Sequence, residues 1–143
     1  MKSIKFLKLS SVEKRFFFEA VYETLWVRIV TTIQSAMKYA SRQGQSMVET
    51  GQTALDARQI EQVLQIKTAV VRCRHLLWAR KCLVESIAAK RMLNRRRIPA
   101  TLYVGVAKNE KGKLTAHAWL RSGNIWATGG RNCCQYTVVG VFS

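Results

Sequence analysis

The chain has 143 residues, 48% of them hydrophobic, so it has enough apolar side chains to form the core of one domain and does not have the composition of a disordered segment. It carries 24 basic and 8 acidic residues, a net charge of +16. Residues 1–70 hold ten basic and six acidic residues, and residues 71–143 hold fourteen and two, so the halves carry +4 and +12. This excess predicts an acidic partner: nucleic acid, an acidic peptide or an acidic protein.

No targeting or spanning segment is predicted. Residues 1–8 begin with basic side chains, but charged residues interrupt the apolar stretch that follows, so they do not resemble a secretory signal. The longest apolar patch, residues 16–33, contains Arg28, which disfavours a membrane-spanning helix. We therefore expect a cytoplasmic protein without a membrane span.

The cysteines fit that expectation. Cys73, Cys82, Cys133 and Cys134 lack the spacing of a disulfide framework, and adjacent cysteines rarely pair with each other. A zinc site that combines them with His75 would lack the usual CxxC pairs, so no metal is predicted.

Helices come first along the chain. Ser10 followed by Glu13 predicts a capped helix start, and loosely helical apolar spacing continues over residues 12–40. The polar residues 41–51 predict a connection, after which Asp56 is expected to cap a second helix.

The pattern then changes from a buried helix to strands. A third helix, apolar on nearly all sides, is predicted from near Cys82 to near Arg95, and Pro99 ends any helical pattern. Alternating apolar residues separated by turn signals predict strands at 101–107, 114–121, 125–128 and 136–142. Helices followed by an antiparallel meander predict an α+β fold.

Few residues are available for chemistry. The only histidines are His75 and His117, the only aspartate is Asp56, and no acidic residue follows Glu110. A paired-carboxylate hydrolase is therefore poorly supported in the second half. Phosphate-loop, dinucleotide-loop and serine-elbow motifs are absent from the sequence.

A Cys/His pair remains. Cys82 lies at a predicted helix start directly after Arg80 and Lys81, and a helix N-terminus and cations both favour a thiolate. His117 shares a strand face with Trp119, from which it can face a cleft. A helix-borne cysteine with a strand-borne histidine is an arrangement used for acyl transfer. On spacing alone, a lone cysteine is more often a small buried side chain and a lone strand histidine is more often structural, so this alternative stays open.

Four blocks of the sequence resemble a known family. They are CLV at 82–84, RRRIPATLYVGV at 95–106, AHAWL at 116–120 and TGG at 128–130. In this order and spacing they resemble the stand-alone leader peptidases of bacterial lasso-peptide maturation. These enzymes form a microcin-processing branch of the transglutaminase-like cysteine protease superfamily, and the likeness extends over roughly residues 8–142.

The resemblance implies a transglutaminase-like or papain-like core in a single domain, 1–143, with a helical part at about 1–76 and a catalytic core at about 77–143. It implies removal of the leader from a ribosomally made precursor, with Cys82 as nucleophile and His117 as base, and no metal or organic cofactor. The implied partners are the precursor peptide, a small leader-recognition protein and an ATP-dependent lasso cyclase; no nucleic acid is implied.

The sequence departs from the family pattern at two places. Family triads include an aspartate about a dozen residues beyond the histidine, where this chain has glycines and no acid. The third catalytic member is therefore unknown: Asn132, Thr128 or a backbone carbonyl are the alternatives. Arg97 also stands where a glycine commonly precedes the Ile-Pro pair.

Three other functions stay open. Arg95, Arg96 and Arg97, with aromatic residues nearby in the sequence, fit a nucleic-acid-binding surface. The same Cys/His pair fits an enzyme that transfers the acyl group to an amine instead of water. The missing acid fits a subunit that has no catalytic activity.

Overall fold

The computed structural model describes residues 7–42, 44–51, 54–79 and 81–143. Its helices are α1 (Ser11–Ile33), α2 (Ala36–Ser41), α3 (Ala57–Cys73) and α4 (Cys82–Arg95), with 3₁₀ turns at Leu77–Ala79 and Gly130–Gln135. Its strands are β1 (Thr101–Lys108), β2 (Leu114–Ser122), β3 (Ile125–Thr128) and β4 (Thr137–Phe142). The predicted α+β class is confirmed.

Helix α1 begins as the sequence predicts. The Ser10 hydroxyl accepts a hydrogen bond from the Glu13 amide at 3.2 Å, and the Glu13 carboxylate accepts one from the Ser10 amide at 3.0 Å. Helix α3 starts in the same way, with Asp56 and Gln59 as the reciprocal pair. Both capping boxes satisfy amide groups that the first helical turn leaves without partners.

The predicted single helix over residues 12–40 is wrong, because the chain breaks after Ile33. Gln34 and Ser35 adopt extended or non-helical backbone, and the Ser35 hydroxyl caps the short helix α2 by accepting from the Lys38 amide at 3.3 Å. Before the break, Thr31 donates to the Val27 carbonyl at 2.8 Å. Side-chain bonds of this kind compete with the regular backbone pattern and weaken the end of the helix.

The sheet is antiparallel, in the order β3-β2-β1-β4. Leu102 and Val104 of β1 face the core together with Ala118 and Leu120 of β2, and α4 packs on this face. The predicted burial of α4 is confirmed: nine of its residues are buried.

Helix α1 is fastened to α4 by ion pairs as well as by apolar contacts. The fully buried carboxylate of Glu23 pairs with Arg91 at 2.5 Å, and Glu19 pairs with Arg96 at 2.6 Å. Charges that are removed from water in this way require partners, since an unpaired buried charge would be strongly destabilising.

Candidate active site

Cys82 is the first residue of α4 and its side chain is partly buried against the core. The N-cap residue, Lys81, has extended backbone and makes no side-chain capping hydrogen bond. The amides of the first turn therefore keep their hydrogen-bonding capacity, and the positive end of the helix dipole lies at the thiol. Arg80, the other cation expected beside the cysteine, lies outside the described residues.

The first turn of α4 is fixed by a bidentate ion pair. Arg74, which ends α3, donates from Nε to both carboxylate oxygens of Glu85 at 2.9 and 3.0 Å and from Nη2 at 2.8 Å. Glu85 is 4% exposed, so its charge needs this partner. The pair anchors the start of the cysteine-bearing helix to the end of the preceding helix.

His117 lies on β2 beside two aromatic rings. Its ring centroid is 5.8 Å from that of Trp119 and 5.1 Å from that of Tyr136. Across the strand pair it faces Gly105, where an added Cβ would lie 2.8 Å from both Trp119 and Tyr136. The glycine thus leaves the space that lets this aromatic cluster form around the imidazole.

The imidazole is held by a backbone carbonyl. His117 Nε2 lies 2.9 Å from the Gly129 oxygen. Because a carbonyl oxygen only accepts, Nε2 carries the proton, and in the neutral ring the lone pair belongs to Nδ1. The ring is therefore set as a base at Nδ1.

Cys82 and His117 are connected through intermediate residues. Ser86, one turn beyond Cys82 on α4, shares a 2.7 Å hydrogen bond with Thr128, and Thr128 precedes the Gly129 that holds the imidazole. The next residue, Ala118, faces α4. Because neighbouring side chains of a strand point to opposite faces, the His117 side chain lies on the other face of β2. Among the described residues, no hydrogen bond joins the Cys82 thiol to the His117 ring directly.

Residues 25–141 match the family model of the transglutaminase-like superfamily. The chain belongs to the transglutaminase-like superfamily. This superfamily includes cysteine peptidases, in agreement with the α+β fold and with the cysteine at the start of a buried helix. Neither the curated proteins nor the solved structures contain a match to the chain.

In this chain the Gly129 carbonyl contacts the imidazole at the place in the sequence where the resemblance to leader peptidases leads us to expect an acid. Gly129 lies twelve residues after His117, and a Cβ added to it would lie 3.1 Å from His117 Nε2 and 2.5 Å from the Ala118 carbonyl oxygen. Of the alternatives left open by the sequence, a backbone carbonyl contacts the ring. Thr128 bonds to Ser86 instead, and Asn132 is exposed in the 3₁₀ turn.

The other cysteines differ chemically from Cys82. Cys73 is fully buried, and burial, with the nearby Glu85 charge, raises the pKa of its thiol to about 12. Cys133 donates to the Gly130 carbonyl at 3.1 Å, while Cys134 is exposed. Cys73 is therefore unsuited to be a nucleophile at neutral pH.

Neither His75 nor a metal site provides a second candidate centre among the described residues. His75 is exposed in the turn after α3. In the described part of the chain, no group of three or more histidine, cysteine or acidic side chains is placed to hold a metal ion.

Sequence reasoning did not identify Ser86, Glu85 or Tyr136 as parts of this site. Their contacts join residues that are distant in the chain, such as Ser86 with Thr128, and no local pattern announces them. The pair of glycines at 129 and 130 was the available signal for a backbone that approaches another group closely.

Proposed function

We propose that this chain is a cysteine peptidase that removes the leader from a ribosomally made lasso-peptide precursor before cyclisation, with Cys82 as nucleophile and His117 as base. The observation that supports the proposal is an uncapped helix start at Cys82 that the Ser86–Thr128 hydrogen bond links to the strand end at Gly129, whose carbonyl holds Nε2 of His117. The four sequence blocks that resemble leader peptidases give the substrate class.

The chemistry follows from these positions. The Cys82 thiolate attacks the scissile carbonyl carbon, a sulfur–carbon bond forms, and amides of the first turn of α4 stabilise the oxyanion. The His117 imidazolium gives its proton to the leaving amine as the carbon–nitrogen bond breaks. Water then attacks the thioester with Nδ1 as base, which releases the acid and restores the thiol.

Because the His117 ring lies on the face of β2 opposite α4, the mechanism requires the imidazole to turn towards the Cys82 thiol, and we propose that the free protein also samples this arrangement. The Gly129 carbonyl keeps the ring in the required tautomer, as a carboxylate or amide does in related triads. A neutral carbonyl stabilises the imidazolium less than a carboxylate would, so we expect a slower enzyme than one with a complete acid-containing triad.

The proposed partners are the precursor peptide, a small leader-recognition protein that delivers it, and an ATP-dependent lasso cyclase that receives the product. The charge of +12 on residues 71–143 favours an acidic leader or an acidic partner surface. Binding should then weaken as salt is added, since screening reduces attraction between exposed charges.

A nucleic-acid-binding function is less well supported. Arg96 is committed to Glu19 and stacks over the Phe16 ring at 4.6 Å, and Arg95 pairs with Glu19 and Glu23. Two of the three arginines in the triplet are therefore engaged within the protein and are not presented together to a phosphate backbone.

The proposal is tested by intact-mass analysis of the precursor after incubation with this protein and the leader-recognition protein. Wild type should release the leader, Cys82→Ala should not, and Cys133→Ala should cleave at a near-normal rate. Equal loss of cleavage in both cysteine variants would reject Cys82 as the nucleophile. If the acyl group is found on an added amine, the chain is a transferase instead.

A further inference from the structure

Helix α1 has a second apolar face that points away from the core. Its inward face is formed by buried residues such as Phe16, Ala20 and Val27. The outward side chains are between 41% and 83% exposed, and they are Tyr22, Leu25, Trp26, Ile29 and Ile33. We call these five residues the α1 stripe.

The α1 stripe is continuous along the helix. Its members are separated by three, one, three and four positions, so on a helix of 3.6 residues per turn they lie on one side. At 1.5 Å per residue the stripe is about 16 Å long. A helix that is apolar on both sides is normally covered on both sides. No described element covers the α1 stripe.

The charges around the α1 stripe have a single sign. The three acidic residues of α1 are turned inward and form ion pairs, Glu13 with Arg72, Glu19 with Arg96 and Glu23 with Arg91. The outer surface of the helix therefore keeps only basic charges.

Those basic side chains lie beside the stripe. Helical geometry places Lys14 and Arg28 along one flank and Arg15 at the N-terminal end. None of the ion pairs between described residues uses Lys14, Arg15 or Arg28. An apolar ridge with tyrosine and tryptophan, bordered by cations, is thus presented to the outside.

We propose that the α1 stripe docks on the surface of an anionic lipid bilayer. Leu25, Ile29 and Ile33 would enter the boundary between headgroups and acyl chains, while the Tyr22 and Trp26 rings lie at headgroup level with their polar atoms towards water. The flanking cations would contact lipid phosphates. Among the described residues no helix is long and apolar enough to cross a membrane, so the contact is one at the surface.

Charge complementarity selects this occupant over the others. A second copy of the chain would bring another +16 and another set of flanking cations to the interface, which repels. A groove on a protein partner interacts mainly with the charges next to the stripe, whereas a planar anionic surface also attracts the positive charge elsewhere on the molecule. A stripe of exposed apolar side chains on one helix can lie on a plane without requiring a matching groove.

The test is co-sedimentation of the purified protein with vesicles of phosphatidylcholine alone or with about 30% anionic phosphatidylglycerol added. Wild type should bind the anionic vesicles and release them when salt is raised. The double variant Trp26→Ser/Ile29→Ser should bind the anionic vesicles at least about tenfold more weakly, because it lacks two apolar side chains that would contact the bilayer. Ile33→Ser alone should weaken binding several-fold.

The matched control removes exposed apolar side chains elsewhere. Val138 and Val139 of β4 are 45% and 50% exposed, and Val138→Ser/Val139→Ser should bind vesicles as wild type does. Thermal unfolding should show both double variants folded. Absence of binding to anionic vesicles, or equal binding by the stripe and control variants, would overturn the proposal. So would a stripe variant that fails in lipid-free leader cleavage, since the stripe would then serve a protein partner.

Discussion

Substitution of Gly129 by alanine should disable the histidine without unfolding the protein. Gly129 has a φ of +65°, and a Cβ there would lie 2.5 Å from the Ala118 carbonyl oxygen and 3.1 Å from His117 Nε2. The left-handed backbone costs alanine about 1–2 kcal/mol, and loss of the hydrogen bond to the imidazole costs about 1 kcal/mol more. We expect a fall of about 2–3 kcal/mol in the free energy of unfolding.

The effect on activity should be larger than the effect of strain alone. The added Cβ would clash first with the Ala118 backbone carbonyl, which cannot move aside, so residue 129 must shift and carry its own carbonyl away from the imidazole. A misplaced catalytic group slows the reaction roughly 10- to 100-fold. Gly112→Ala is the matched control: its φ is +71°, and nothing lies within 4 Å of an added Cβ. That variant should lose about 1–2 kcal/mol of stability and keep full activity.

Three measurements separate these outcomes: urea unfolding, the rate of precursor cleavage by intact mass, and the ¹⁵N NMR shifts of the His117 ring. Wild type and Gly112→Ala should both show the proton on Nε2, and Gly129→Ala should show a mixture of tautomers. If Gly129→Ala cleaves as fast as Gly112→Ala, or keeps the wild-type tautomer, the Gly129 carbonyl does not position the base.

Three further predictions concern groups around the site. Cys73→Ala should cleave the precursor at a near-normal rate. Iodoacetamide at pH 8 should leave Cys73 unlabelled in the folded protein, because burial raises the pKa of its thiol to about 12. Labelling of Cys73 ahead of Cys82 would contradict this prediction. Burial lowers the pKa of Lys90 from 10.5 to about 8, so between these pH values the folded protein holds fewer protons than the unfolded chain and wild type gains stability with rising pH. Relative to Lys90→Met, urea titrations should show a gain of about 3 kcal/mol across that window, and a constant difference would reject the buried neutral amine. Removal of the Ser86–Thr128 bond by Ser86→Ala should cost about 1 kcal/mol and slow cleavage, and coupling of less than about 0.3 kcal/mol in the double-mutant cycle with Thr128→Val would show that the bond is not energetically important.

Local chemistry made the element starts predictable. Ser10 with Glu13 and Asp56 each marked a helix start that the structure confirms, because a capping residue acts on amides within its own turn. The strands of the second half were also placed correctly to within one residue, since alternation and turn residues are local signals. The break after Ile33 was missed, because Ser35 competes with an apolar pattern that continues on both sides of it.

The candidate residues could be chosen from the sequence, but their surroundings could not be predicted. Cys82 and His117 stood out because the chain contains few other groups with suitable chemistry. Contacts that depend on tertiary structure could not be specified from local patterns. A backbone carbonyl was one of three alternatives for the imidazole, and the ion pair between Arg74 and Glu85 joins two helices. The three arginines at 95–97 suggested a phosphate surface, yet the first two face acids on α1.

The central claim, that Cys82 reacts as a thiolate assisted by His117, is tested most directly by measuring alkylation of each cysteine by iodoacetamide from pH 5.5 to 8.5, in wild type and His117→Ala. The account predicts that Cys82 reacts fastest, ahead of the more exposed Cys134, and that only the Cys82 rate falls in His117→Ala. If Cys134 reacts first and the Cys82 rate is the same in both proteins, Cys82 and His117 do not act as a pair.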